Sequence, residues 1–193
     1  MRVLEGRATI EDVDAVVAEL ATIGDEHGCT VQAFDARYLV GREHLERAVE
    51  LADRAIERGE NVARDRGVEI LLYAAGRRQI DDALTMGVEA GALDVAVLID
   101  GVDDGGDAED AGAGASDVEL EARDSKIAAH EADAAAAVRE SFALNERPTL
   151  GVEHADAALV RDFFDVSEAE LAATDAELAE IVLERVALLD VEK

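Results

Sequence analysis

Apolar residues recur at the 3.6-residue period of an amphipathic helix along most of this chain, although the chain is strongly acidic. Its 46 Asp and Glu outnumber its 18 Lys and Arg and give a formal net charge of −28. A chain with that charge stays unfolded unless it buries enough apolar surface, and 49% of these residues are apolar. We therefore predict a folded protein whose acidic side chains coat its surface. The clearest helical faces consist of Val13, Val16, Val17, Leu20 and Ile23, and of Leu45, Ala48, Val49, Ala52, Ala55 and Ile56.

Three short segments carry the pattern of β-strands. Residues 2–9 fit a short strand, Cys29 to Phe34 alternates small, branched and aromatic residues, and Leu93 to Ile99 is an apolar run. Strands and helices thus alternate within a length that suits one domain. We predict an α/β (α+β) fold in a single domain spanning residues 1–193, with helices packed around a small mixed β-sheet.

Several predicted helices have recognisable ends. Thr9 is expected to open the first helix, and a longer one runs from Gly41 to about Gly59. Ser167 with Glu170, and Thr174 with Glu177, match the capping-box spacing that supplies partners for free N–H groups at a helix start. The second box predicts a well-marked start for the last helix.

The segment from Asn61 to Gly76 is ambiguous. Its apolar centre, Ile70-Leu71-Leu72-Tyr73, fits either a buried strand or a buried turn of helix. Glu69 and the alanines at 74 and 75 favour a helix because these residue types have high helix propensity.

An acidic, glycine-rich segment divides the chain. Gly101 to Asp117 contains five glycines, six acidic residues and no basic residue, which predicts a flexible loop. Beyond it, Val118 to Arg123 is expected to form a strand, and Ile127 to Leu144 an alanine-rich helix. A short helix is predicted from Ala155 to Phe164.

No motif announces catalysis or a cofactor. The single Cys29 excludes an internal disulfide or a CxxC motif, and the four histidines lack the spacing of zinc ligands. We expect a non-enzyme that needs no cofactor and no metal. No apolar run approaches the ~18 residues of a membrane span, so we expect a cytoplasmic protein. The acidic surface is typical of a halophile, because molar salt screens its self-repulsion.

Arginine is scarce and unevenly placed. Nine of the 16 arginines lie between Arg37 and Arg78. Arg37 and Arg42 flank a turn with Tyr38, and Arg77 and Arg78 follow Tyr73 and Gly76. These residues suit an arginine and aromatic patch that binds phosphate and stacks a base. They equally suit local neutralisation of acidic residues, because exposed ion pairs are common.

Three groups of residues form a specific combined pattern. They are Arg42-Glu43-His44-Leu45 with Ala48-Val49, then Glu57-Arg58-Gly59-Glu60-Asn61, and then Glu69-Ile70-Leu71-Leu72-Tyr73-Ala74-Ala75-Gly76-Arg77-Arg78-Gln79-Ile80 with Met86-Gly87-Val88. This pattern closely resembles the small kinase-binding subunit of the KEOPS complex. The strong resemblance covers about Phe34 to Val88, and a weaker one returns from Phe164 to Asp190. Ala75 departs from the serine frequent in the family, and the loop from Gly101 to Asp117 looks inserted.

The resemblance implies a non-catalytic subunit of the assembly that places threonylcarbamoyl on the adenosine beside the tRNA anticodon. It implies docking on a small atypical kinase, support of the kinase ATPase activity, and contact with the 3′ CCA end of tRNA. The implied tRNA-binding residues are Arg37, Tyr38, Arg42, Tyr73, Arg77, Arg78 and Gln79. For the kinase, the last helix offers Leu178, Ile181, Val182, Leu188 and Leu189, part of which must face the core.

Two other functions stay open at the level of the sequence. One is a stand-alone interaction module with no tRNA role, in which the arginines are structural. The other is an acid–base enzyme acting on a small molecule, for which the abundant carboxylates single out no residue.

Overall fold

The computed structural model describes residues 1–102, 117–174 and 176–191. Four strands form one sheet in the order β2-β3-β1-β4. The strands are β1 (Arg2–Ile10), β2 (Cys29–Asp35), β3 (Gly91–Gly101) and β4 (Asn145–Glu146). The helices are α1 (Val13–His27), α2 (Arg42–Arg58), α3 (Arg66–Ala75), α4 (Ile80–Ala83), α5 (Asp117–Ser141), α6 (Ala157–Phe163), α7 (Glu168–Ala173) and α8 (Leu178–Val191). Two 3₁₀ turns, Ala36–Tyr38 and Leu84–Met86, follow β2 and α4.

The sheet is built around β3. It pairs with β1 from Arg2↔Ile99 to Ile10↔Gly91, and with β2 along its second half. Every pairing among the described residues is antiparallel, rather than mixed as expected from the sequence. The run from Val95 to Ile99 is buried without alternation because helices cover both faces of the sheet. The predicted α/β class is confirmed.

Each face of the sheet has its own apolar core. On one face, α2, α3, α6 and α8 pack over Phe34 and Leu98. On the other face, α1 and α5 pack over Val97 through residues such as Leu20 and Val138. The arginine-rich region and the last helix therefore belong to the same side of the sheet.

The ambiguous apolar segment is helix α3, as its propensities favoured. Asp65 caps the start of this helix, because its carboxylate accepts the N–H of Val68 at 2.9 Å. Residues 69–75 are all buried, because α3 packs against α2, β2 and α8. Buried Glu69 is satisfied by the N–H groups of Val62 and Ala63, which lie 3.0 and 2.8 Å from its Oε2.

Three predicted boundaries are wrong. β1 continues to Ile10, and α1 begins at Val13 behind Asp12, whose carboxylate accepts the N–H of Ala15. Residues 118–123 belong to α5 rather than to a strand. The segment is rich in Glu, Leu and Ala, which have high helix propensity. α8 begins at Leu178, later than its capping box predicts.

The two capping boxes differ in outcome. Ser167 caps α7, because its Oγ accepts the N–H of Glu170 at 3.1 Å. At the second box the N–H of Glu177 is accepted by Glu180 instead, at 2.8 Å. Most of the predicted acidic loop, residues 103–116, lies outside the described residues. Gly101 ends β3 and Asp117 begins α5.

Candidate binding site

A groove opens where α3, α6 and α8 meet. It has a volume of about 270 Å³. Its walls are the end of α3, the end of α6 and the outer turns of α8. The lining residues are Ala75, Gly76, Arg77, Phe164, Asp165, Arg185, Leu188 and Leu189. Residues predicted for tRNA and for the kinase therefore meet in one cavity.

The end of α3 places Arg77 in this groove. Gly76 adopts the left-handed conformation, with φ of 58°, which a residue without Cβ reaches at no steric cost. Its N–H donates to the carbonyl of Tyr73, and the N–H of Arg77 donates to the carbonyl of Leu72 at 3.0 Å. This pair of bonds is a Schellman termination, and it turns the chain so that Arg77 leaves the helix.

A histidine completes the termination of α3. His44 is fully buried, and its Nε2 donates to the carbonyl of Ala74 at 2.8 Å, a group with no partner inside the helix. Nδ1 of His44 has no hydrogen-bond partner among the residues that the structure describes. Burial lowers the pKa of His44 to about 4, so the ring is neutral near pH 7.

Arg77 is fixed by contacts from α6. Its guanidinium lies 5.1 Å from the centre of the Phe163 ring, in a cation–π arrangement. Its Nη2 donates to the carbonyl of Phe163 and lies 3.6 Å from the Asp165 carboxylate. The side chain is one-third exposed. Arg77 is thus held in place and still reaches the groove.

A row of aromatic rings continues from Arg77. Phe163 contacts Tyr38 edge to face with centroids 5.1 Å apart, and it contacts Phe164 at the same distance. Phe164 in turn meets the ring of His44 at 5.8 Å. The row connects the Arg77 groove to the turn that carries Arg37 and Tyr38.

The structure corrects the predicted base-stacking residues. Tyr73 is 0% exposed and Tyr38 is 8% exposed. A base needs an accessible ring face for stacking, so neither ring offers that contact as it stands. The sequence pattern could not show this, because an aromatic residue in an apolar run is equally suited to a core.

Arg37 and Arg42 are engaged by neighbouring groups. Arg37 reaches Asp35 at 2.5 Å and Glu89 at 2.6 Å, and Asp35 is buried. The hydrogen bond to Asp35 raises the pKa of Arg37. Arg42 pairs with Glu46 at 2.9 Å and donates to the carbonyl of Met1. These geometries match local neutralisation of acid.

Arg78 and Gln79 lie on the surface between α3 and α4. Both side chains are exposed. Gln79 stands at the start of α4 without capping it through its side chain. They follow Arg77 in the chain, and Arg77 is the one of the three that lines the groove.

Most of the predicted kinase-binding residues lie on the side of α8 that faces the core. Ile181, Val182 and Leu189 are 2%, 0% and 6% exposed, and Leu178 packs partly buried against the same core. Only Leu188 of the five is well exposed, at 43%. The first four pack towards the core, as expected for part of this set, because α8 lies across α2 and α3 with that face.

Sequence reasoning missed Phe163, Asp165 and Arg185. The signal was the Phe163-Phe164 pair, half of the phenylalanines in the chain, at the end of a predicted helix. Asp165 has a positive φ of 54°, which Asp tolerates better than most residues. Arg185 is bound to Glu170 at 2.8 Å, which ties α8 to α7.

The fold and the groove define a small α/β protein with an open binding groove lined by arginine and phenylalanine. The chain matches the family of the kinase binding protein CGI-121 over residues 9–190, and it belongs to that family. The comparison with curated proteins gave no match. Among the described residues, no helix is long and apolar enough to cross a membrane, and no cluster of His, Cys, Asp or Glu suits a metal ion.

Proposed function

We propose that this protein is the non-catalytic, kinase-binding subunit of a KEOPS complex. In this role it docks on a small atypical kinase, supports its ATPase activity, and serves threonylcarbamoyl modification of the adenosine next to the tRNA anticodon. The single observation that carries the proposal is membership of the kinase-binding family over residues 9–190. The KEOPS assembly and the tRNA role come from the resemblance of the segment around Arg77.

The outer face of α8 is the proposed kinase-docking surface. Apolar residues surround this helix on nearly every side, which is typical of a helix buried on all faces. Among the described residues, its main packing partners are α2 and α3, on one side. Leu188 is exposed, and Leu183 and Ala187 are half-buried outside the apolar core of α2 and α3. Exposed Glu184 and Glu180 lie one and two turns before Leu188 on the same side. Apolar side chains at such a surface suit packing against a partner, and apolar packing persists in high salt.

The groove beside α3 is the proposed contact for the 3′ CCA end of tRNA. Arg77 is oriented by Phe163, and Arg78 and Gln79 are exposed next to it. Forked N–H donors from arginine suit phosphate oxygens. Because the global charge of the protein repels RNA, the contact depends on short-range groups at this place. In this proposal the other predicted residues stabilise the structure around the groove rather than contact RNA. They are Arg37, Tyr38, Arg42 and Tyr73.

The surface charge fits a cytoplasm of high ionic strength. At molar salt the Debye length falls to about 3 Å, so like charges on the surface interact weakly. Three arginines on α2 pair along their own helix. Arg42 pairs with Glu46 at 2.9 Å, and Arg47 and Arg54 pair with Glu50 at 2.7 and 2.6 Å.

Co-purification from native extract in molar KCl tests the proposal. Recovery of a small kinase together with its partner ATPase is the expected result. Consistent absence of the kinase would instead favour a stand-alone interaction module. A direct pull-down with the purified kinase then separates a direct contact from one made through another subunit.

A further inference from the structure

Two arginines outside the groove share a single carboxylate. Nη1 of Arg7 lies 3.2 Å from Oδ1 of Asp94, and Nη2 of Arg147 donates to the same oxygen. Arg7, Asp94 and Asn145 occupy one row across β1, β3 and β4. Both arginine side chains are nearly half exposed, at 45% and 46%. Two positive charges therefore meet one negative charge on the surface of a very acidic protein.

Arg47 and Arg54 also share one carboxylate, but they contact different oxygens of Glu50, whereas Arg7 and Arg147 meet at the same oxygen of Asp94. Arg37 contacts two carboxylates, and Arg66 contacts Asp53 and Asp100 at 2.7 and 2.6 Å. Near the Arg7 and Arg147 pair, two further carboxylates are already engaged. Oε2 of Glu5 accepts two backbone N–H groups, and Glu146 pairs with Arg139.

The position of Arg147 is fixed by its backbone. Its own N–H donates to the carbonyl of Glu5 at 3.1 Å. The N–H groups of Thr149 and Leu150 donate to the Glu5 carboxylate at 2.7 and 2.8 Å. The hydroxyl of Thr149, itself 2% exposed, donates to the carbonyl of Val95. The segment is thus fastened to β1 and β3, and its arginine needs little ordering before it binds.

We propose that Arg7 and Arg147 form a second phosphate-binding site, which contacts the phosphodiester backbone of an RNA whose 3′ end lies in the Arg77 groove. Guanidinium groups that reach the same oxygen are close enough for one phosphate to bridge them through forked hydrogen bonds. Asp94 holds the two side chains together when no phosphate is bound. The proposal rests on the proposed tRNA contact of the groove.

One stretch of the chain connects the two sites. The chain from Arg147 leads to Asp156, whose N–H donates to the carbonyl of Arg37. Arg37 adjoins Tyr38, which contacts Phe163 beneath Arg77. Nine residue steps from 147 to 156 span at most about 30 Å.

The test compares two RNAs on the full-length protein in the same KCl concentration. One is a minihelix with an acceptor stem and a CCA end, and the other is a short single strand ending in CCA. Arg7→Gln with Arg147→Gln should weaken minihelix binding about three- to tenfold and leave the single strand unchanged. The salt slope for the minihelix should fall by ~0.9 per lost phosphate contact. Asp94→Asn should tighten minihelix binding about twofold, because it removes the competing carboxylate.

Arg47→Gln with Arg54→Gln is the charge-matched control, since these two arginines are exposed at 38% and 36% on α2 and also share one carboxylate, that of Glu50. Equal thermal unfolding midpoints should verify that the variants are folded. Unchanged minihelix binding by the double variant would overturn the proposal, and so would an equal loss for both RNAs. Displacement of the minihelix by polyglutamate from the wild type but not from the double variant would assign the pair to an acidic peptide. Wild-type protein that binds neither RNA would overturn both RNA assignments, while kinase pull-down reports separately on docking.

Discussion

The guanidinium of Arg77 lies 5.1 Å from the ring centre of Phe163 and donates to the carbonyl of the same residue. One residue therefore fixes both the plane and the position of the arginine that faces the groove. We expect Arg77→Ala to lower the free energy of unfolding by about 1 to 2 kcal/mol, the sum of a cation–π contact and a hydrogen bond. Urea denaturation of the variant and of Arg78→Ala measures this. A loss at Arg78→Ala as large as at Arg77→Ala would contradict the assigned contact.

A substitution at Arg78 tests RNA binding separately from the stability of the fold. Its side chain is exposed beside the groove, and a charge reversal there leaves the Phe163 contact of Arg77 in place. Arg78→Glu should weaken binding of a CCA-ending RNA about tenfold and change the free energy of unfolding by less than about 0.5 kcal/mol. Arg139→Glu on α5 changes the net charge by the same amount on the other face of the sheet and serves as the control. Undiminished RNA affinity of Arg78→Glu would remove this residue from the site.

His44 makes the protein sensitive to acid. An unfolded histidine titrates near pH 6.5, whereas burial lowers the pKa of His44 to about 4, so the unfolded chain binds more protons between these values. The stabilising contribution is complete above pH 6.5 and is lost as the pH falls towards 4. From pH 7 to pH 5 the loss is about 2 kcal/mol.

The variant His44→Gln isolates this effect. Its amide can donate to the carbonyl of Ala74 but does not titrate. The difference in unfolding free energy between wild type and variant should therefore shrink or reverse between pH 7 and pH 5. A difference that stays constant over this range would show that the ring is not the titrating group.

The position of α3 could be predicted from sequence, whereas its surroundings could not. Glu69 and the alanines at 74 and 75 favoured a helix correctly, because propensity acts locally. The contact between Arg77 and Phe163 joins residues 86 positions apart and depends on how α6 packs. No local pattern encodes that distance.

The last helix shows a different limit. Apolar residues surround α8, so its periodicity does not indicate which side faces the core. The sequence therefore indicated only that part of this set faces the core, and the structure shows that Ile181, Val182 and Leu189 belong to that part. Tyr73 shows the same limit. An aromatic residue beside arginines in the sequence is equally compatible with stacking on a base and with packing in the core.

Glu69 fastens the loop before α3. Its Oε2 accepts the N–H groups of Val62 and Ala63, and its side chain is 1% exposed. Glu69→Ala leaves two donors without an acceptor, so we expect a loss of about 2 to 3 kcal/mol in unfolding free energy. Glu57→Ala, at an exposed position on α2, should stay within about 0.5 kcal/mol. Equal effects of the two variants would contradict the role given to Glu69.

The most direct test of the proposed docking surface is the dissociation constant of the purified kinase for Leu188→Glu and the wild type in the same KCl concentration. Leu188 is 43% exposed on α8, and Val152, 44% exposed elsewhere on the chain, supplies the matched control Val152→Glu. A buried charge in an apolar interface should weaken binding at least about tenfold, whereas the control should bind like the wild type. Wild-type affinity for Leu188→Glu would contradict the docking of the kinase on α8.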